Sequence, residues 1–180
     1  MARKRQAHAH ICWVQWQKKD LYTLWIDTVD KEFLWTDING LVPLFTTPVE
    51  AIELAKTIGV QLENSEVEKQ NLDAVWQWMQ NPAKSPPKEC LLAWNLFSDL
   101  STSVGVKFIG DHHAPVRSRV FDTLYAYYGP WPSQKKWPWK RQESKVLKRI
   151  LQQGFRLWQK NIYMVAAGQY PLQAKDLNPA

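Results

Sequence analysis

The side chains with the plainest chemical capacity are four histidines in two pairs, His8-x-His10 and His112-His113, with Asp111 and Asp122 close to the second pair. Alternate residues of a strand share a face, so His8 and His10 would point the same way and could chelate a metal. Neither pair is joined by a nearby cysteine or by a His-Glu-x-x-His set, the spacings that zinc sites use. The expected reading is surface or polar-core histidines and no metal. Asp111, His112 and Asp122 form the most reactive-looking group, but no nucleophile is identifiable beside them. Cys12 and Cys90 make neither a metal spacing nor a dithiol motif and read as buried reduced thiols. The seven glycines are scattered, with no phosphate-cradling loop and no Gly-x-Ser-x-Gly. The sequence predicts no enzyme, no cofactor and no metal.

Binding chemistry is better represented. Arg3–Arg5, Lys135-Lys136 and Lys140-Arg141 set cations close to aromatic residues, and Trp131, Trp137 and Trp139 are the residue type that stacks on unpaired bases. Formal charge is sharply divided along the chain. Residues 1–19 carry +5, residues 20–100 carry −8 and residues 101–180 carry +9, within a net +6. The acidic middle would repel a phosphate backbone, while either region would steer a partner of opposite sign. Eleven tryptophans add large rings suited both to a core and to interface anchors.

These groups need elements to position them. A chain of 180 residues is long enough for one domain with its own core, here expected to span 1–180 with loosely held ends at 1–8 and 168–180. Residues 9–16, 21–27 and 33–36 are rich in Ile, Val, Trp and Tyr and are parted by polar turns, which predicts strands. Asn39-Gly40 precedes a fourth apolar run at 41–46, a hairpin signal. Together they predict a meander of about four antiparallel strands, with Pro43 at an edge. Thr47-Pro48 opens a helix that Gly59 closes. An acidic connector at 61–70, helices at 72–80 and 88–104, and a stop at Gly105 follow. Residues 106–119 read as loop with extended pieces, and residues 120–128 as a further strand. Residues 142–165 read as a long amphipathic helix, with Lys145, Lys148, Arg149, Arg156 and Lys160 opposite its apolar side. The class predicted is α+β: an N-terminal antiparallel sheet packed on three or four helices.

Nothing in residues 1–10 reads as a signal peptide, and no apolar run approaches the ~18 residues of a membrane span, so a reducing cytoplasm is the expected compartment and no membrane partner is expected.

Two stretches, Leu72-Asp73-Ala74-Val75-Trp76-Gln77-Trp78 and Cys90-Leu91-Leu92-Ala93-Trp94-Asn95-Leu96-Phe97-Ser98-Asp99-Leu100, follow an acidic strand meander and helix and are separated by a Pro-containing gap. With Val120-Phe121-Asp122-Thr123-Leu124-Tyr125 and the closing Leu151-Gln152-Gln153-Gly154-Phe155, this pattern resembles bacterial immunity proteins of contact-dependent growth inhibition systems, over about residues 20–165. The basic N-terminus and the Trp137-Pro138-Trp139 loop stand outside it. The resemblance implies a cytoplasmic, stoichiometric inhibitor that caps a cognate secreted toxin domain, commonly a nuclease. Nuclease surfaces are often basic because they bind phosphates, so an acidic inhibitor surface would match them. The acids expected to contact such a partner are Asp27, Asp30, Glu32 and Asp37 of the meander and Glu63, Glu66, Glu68 and Asp73 of the connector and following helix. Each also has the plain reading of a solvated charge. The net positive charge departs from this picture: if the basic third faced the partner, the toxin surface would be acidic instead. The alternative function is an RNA- or DNA-binding accessory protein that uses the basic, Trp-rich C-terminal region.

Overall fold

The computed structural model describes residues 7–63, 68–82, 85–132 and 139–169. Strands β1 (His8–Trp16) and β2 (Lys19–Asp27) form a hairpin in full antiparallel register, from His8 opposite Asp27 to Trp16 opposite Lys19. Its loop is the pair Gln17-Lys18, with φ of +52° and +60°. Positive φ at both positions matches the right-handed twist of the flanking strands, and such turns ordinarily use Asn-Gly. Here the carboxylate of Asp73 accepts hydrogen bonds from the N–H of Gln17 at 2.8 Å and of Lys18 at 2.7 Å, which holds the turn from outside.

Strand β3 (Glu32–Leu34) pairs antiparallel with β2, as the meander predicts. The fourth run does not continue it. Strand β4 (Val42–Leu44) lies beside β2, joined to it by the adjacent Tyr22–Phe45 bridge, and pairs in parallel with β7 (Ile162–Met164). All three β4 residues are buried. That is the continuous apolar run of a strand covered on both faces rather than the alternation of a half-solvated meander. The Asn39-Gly40 turn does form, with Gly40 at φ +74°, but β3 and β4 are not paired with each other.

Helix α1 (Pro48–Thr57) begins where Thr47-Pro48 places it. The Glu50 carboxylate accepts from the Thr47 N–H at 3.2 Å and hydroxyl at 2.8 Å, and Gly59 at φ +70° follows the last turn. The acidic connector is tied down at both ends. Short strands β5 (Gln61–Leu62) and β6 (Gln70–Asn71) each pair in parallel with β1, giving the order β3-β2-β1-β5 with β6 also on β1.

Helix α2 (Leu72–Gln80) is capped by the Asn71 side chain, which accepts from the Ala74 N–H at 3.0 Å. Helix α3 (Glu89–Val104) ends on Gly105 at φ +66°. After it, the predicted loop with extended pieces holds as far as Ala114, and the predicted strand at 120–128 is overturned. A single 3₁₀ turn (Ile109–Asp111) leads into helix α4 (Pro115–Tyr128). Val, Phe, Thr and Tyr favour strands only weakly and in context. In α4, Pro115 sits in the first turn and Val120, Thr123 and Leu124 bury at helical spacing, so packing against α3 and α5 decides the conformation. Helix α5 (Arg141–Asn161) stops before the predicted 165 because residues 162–164 are taken by β7.

The sheet is covered on both faces. Cys12, Val14, Trp16 and Leu21 point into a large core shared with α2, α3, α4 and α5. Ala9, Leu24 and Ile26 point the other way, into a smaller core with α1. That period-two split is what a strand's alternating side chains produce. The α+β class stands, with five helices among the described residues rather than three or four. Cys12 and Cys90 are buried free thiols, and burial raises both thiol pKa values far above the ordinary range.

Candidate functional site

The β2–β3 connection folds on itself. Thr28 donates its hydroxyl to the Lys31 carbonyl at 2.9 Å and its N–H to the same oxygen at 3.0 Å, leaving Val29, Asp30 and Lys31 exposed. Asp27 closes β2 and Glu32 opens β3 directly opposite it. The Lys31 ammonium lies over the Phe33 ring, 5.0 Å from its centroid. On the neighbouring helix, Ser103 Oγ of α3 accepts from the Leu34 N–H at 2.7 Å and fastens β3 to α3.

One turn before Ser103 stands Asp99. Burial first, and then the nearby charges of Glu32 and Asp111, push its carboxyl up to about 7. Asp111, in the 3₁₀ turn, is held by the hydroxyls of Ser98 at 2.7 Å and Ser101 at 3.1 Å. Glu32 of β3 and Asp111 of the 3₁₀ turn thus approach Asp99 of α3, with Asp27 opposite Glu32 in the sheet and Asp30 in the turn that joins those two strands. None of the five is ion-paired to a described cation. Burial and like charge both disfavour an ionised carboxylate, and both act on Asp99.

The other acids singled out from sequence lie elsewhere. Glu63 sits by the β5 strand, with its Oε1 2.9 Å from His8 Nδ1, and Glu68 pairs with Lys88 at 2.7 Å. Glu63 lies at the same end of the sheet as Asp27, with β1 between them, whereas Glu68 precedes β6 towards the other end of β1. Asp73 holds the β1–β2 turn. Asp37 is 3% exposed and accepts from the N–H groups of Asn39 at 2.9 Å and Leu41 at 3.0 Å. Burial, followed by the Asp37 carboxylate, pushes the Tyr163 phenol up to about 12. Glu66 lies outside the described residues. The seven described acids therefore do not make one face. Asp99 and Asp111 are the members that sequence reasoning missed; 67 residues separate Asp99 from Glu32, and no local spacing links them.

The histidine group does come together. Asp111, His112, His113, Ser118 and Asp122 line a cleft of about 280 Å³ between α3 and α4. The Ser118 hydroxyl is 3.4 Å from His113 Nδ1, too long for an activated nucleophile, and Arg117 is committed to the Ile109 carbonyl at 2.8 Å. Among the described residues no three His, Cys, Asp or Glu side chains gather to hold a metal ion.

Of the tryptophans proposed to stack on bases, Trp131 is 82% exposed, Trp139 is fixed by donating to Ser144 Oγ at 2.6 Å, and Trp137 lies outside the described residues with Lys135 and Lys136. No helix among the described residues is long and apolar enough to cross a membrane.

No family model matches the chain, and no curated protein matches it. Among solved structures, the chain is similar to the C-terminal domain of SatS, crystallised in complex with bromine. The TM-score is 0.52 at 14% identity, covering 87% of this chain and 94% of that one. At such identity the likeness is one of fold.

Proposed function

We propose that this protein is a non-catalytic inhibitor that binds a cognate toxin domain, and that the acidic corner of Asp27, Asp30, Glu32 and Asp99 receives a basic patch on that toxin. The observation that carries this reading is the approach of Glu32 and Asp111 to Asp99, with Asp27 opposite Glu32 and Asp30 in the turn between them, none of the five ion-paired to a described cation. A protein of net +6 that concentrates uncompensated negative charge at one place creates a local field that attracts cationic surfaces. Nucleases carry such surfaces for phosphate binding, in keeping with the resemblance to immunity proteins. Val29, 59% exposed at the tip of the turn, adds an apolar contact beside the charges.

Stopped-flow association with a purified toxin domain taken from a neighbouring reading frame tests the reading, and a neighbourhood with no toxin gene counts against it. Reversing the charges of half-buried Asp27 and exposed Asp30 and Glu32 in Asp27→Lys, Asp30→Lys, Glu32→Lys is expected to slow association about tenfold or more and to flatten its salt dependence. Glu63→Lys with Glu68→Lys, whose acids are already engaged within the chain, should change the rate little. Unchanged association by the triple variant, or loss of binding in the connector variant, refutes the assignment.

Asp99 supplies a second test, readable without the partner. Its folded pKa of about 7 exceeds the ~3.9 of an unfolded aspartate. The raised value means that ionisation opposes folding: no penalty exists below about pH 4, and it grows as pH rises through about 7. Wild-type protein is expected to lose melting temperature between pH 5 and pH 8 relative to Asp99→Asn. Parallel pH profiles for the two proteins would show that Asp99 does not carry this charge strain. A basic partner favours the ionised form, so its binding should release protons near pH 7, measurable by calorimetry in buffers of different ionisation enthalpy.

A further inference from the structure

Helix α5 carries six basic residues and one acidic residue. Lys145, Arg149, Arg156 and Lys160 stand at i, i+4, i+11 and i+15, which at 3.6 residues per turn places all four within about 60° of the helix circumference. All four are exposed, as is Gln152 in the same stripe. With a rise of 1.5 Å per residue the stripe is about 22 Å long. The opposite face of the helix is locked into the core by Leu147, Ile150, Leu151, Phe155 and Trp158, so the cations are displayed on a fixed rod.

Nothing described neutralises them. None of the four is ion-paired to a described carboxylate. Glu143, the one acid of α5, is 4% exposed and bound to Arg119 at 2.9 Å. Beside the stripe runs a groove of about 480 Å³ lined by Ile109, Arg149, Gln152, Gln153 and Arg156. Its wall is built: the Gln153 side chain accepts from the Ile109 N–H at 2.7 Å and donates to the Lys107 carbonyl at 3.0 Å.

We infer that this face of α5 binds a nucleic-acid duplex through its phosphates. A row of Lys and Arg on one rigid line is suited to sequence-independent contact with a regular polyanion, and guanidinium groups can take phosphate oxygens two at a time. At about 3.4 Å of axis per phosphate on one strand, the stripe spans roughly six phosphates. The other polyanionic partners fit less well. Single strands are held largely by aromatic stacking, and no aromatic side chain lies in this stripe. A membrane-surface helix needs its apolar face free, and here that face is inside the protein. Protein interfaces draw their binding energy from buried aromatic and apolar anchors, which the stripe lacks. The acidic corner takes no part in this contact, so each proposal stands or falls alone.

Fluorescence anisotropy with a labelled 20-base-pair DNA duplex and a matching RNA duplex, titrated across NaCl, is the test. Four phosphate contacts predict a slope of log K against log salt of about −3.6 on DNA. Arg149→Glu with Arg156→Glu is expected to weaken binding at least about twentyfold at low salt and to make the slope shallower by about 1.8, since each lost contact removes about 0.9. Lys145→Gln with Lys160→Gln gives the same direction through milder changes, should the reversals disturb the fold. Lys31→Ala with Lys56→Ala, on the β2–β3 turn and on α1, should bind as wild type. Duplex binding unaltered in both stripe variants overturns the proposal, as does no binding at low salt. Equal or tighter binding of a single-stranded 20-mer or of polyglutamate also overturns it, and would point to a single strand or to an acidic protein respectively.

Discussion

Replacing Gly154 with alanine is expected to destabilise the protein by about 2–3 kcal/mol and to lower its melting temperature by roughly 5–10 °C. On propensity alone the change should help, because glycine inside a helix is worse than alanine by about 1 kcal/mol. The neighbourhood reverses the sign. Gly154 lies where α5 crosses α3, and a Cβ there would land on the ring of Phe97, which is fully buried. Phe97 has little freedom to retreat, because its ring centroid is 5.2 Å from that of Phe155 and 6.3 Å from that of Phe108. The helices must then separate or the aromatic cluster must repack, and close-packed interiors resist both. Thermal denaturation of Gly154→Ala beside Gly154→Ala with Phe97→Leu checks the mechanism, since the smaller side chain should recover part of the loss. A neutral or stabilising Gly154→Ala would mean that the two helices slide apart freely.

Asp73→Ala is the second large effect, about 2 kcal/mol, from a side chain whose hydrogen-bond partners are two backbone N–H groups. Its carboxylate receives two backbone N–H groups from a turn in which both Gln17 and Lys18 hold positive φ. Hydrogen bonds to a charged acceptor contribute about 1.5–3 kcal/mol each where water is excluded, and less on a partly exposed turn. The left-handed conformation is unfavourable for both residues by about 1–2 kcal/mol each, so the turn depends on that outside support. Placing the preferred turn residues there, Gln17→Asn with Lys18→Gly, should restore most of the stability of Asp73→Ala in urea denaturation. A loss below about 0.5 kcal/mol for Asp73→Ala would show that water serves the turn equally well.

What the sequence revealed was what short segments decide for themselves. The β1–β2 strands alternate in their side chains, Thr47-Pro48 caps and starts α1, and Gly59 and Gly105 end their helices; each signal lies within a few residues of its effect. Residues 120–128 misled because Val, Phe, Thr and Tyr carry strand preference, while the helix rests on Pro115 and on burial of Val120, Thr123 and Leu124 by distant partners. The parallel pairings of β4, β5 and β6 leave no local mark at all. The acids divide in the same way. Asp27, Asp30 and Glu32 are neighbours in sequence and remain neighbours in space. Asp37 and Asp73 read as surface charges, yet both serve backbone N–H groups, and Asp73 does so 55 residues away. Asp99 acquires its raised pKa from burial first and then from Glu32 and Asp111, all of which exist only in the folded chain.

The parallel pairing of β4 with β7 has a bearing on how the chain is made. Val42, Pro43 and Leu44 meet Ile162, Tyr163 and Met164 across a separation of 120 residues, a contact of the highest order in the molecule's described strands. During synthesis from the N-terminus, β1, β2, β3 and α1 can assemble early from local contacts, but the β4 backbone finds its partner only after the whole of α5 has emerged. Until then an apolar strand edge stays open, the kind of surface that recruits other unfinished chains. Ending translation anywhere before β7 would make that vulnerable interval permanent, so the last few strand residues act as the latch on a segment built more than a hundred residues earlier.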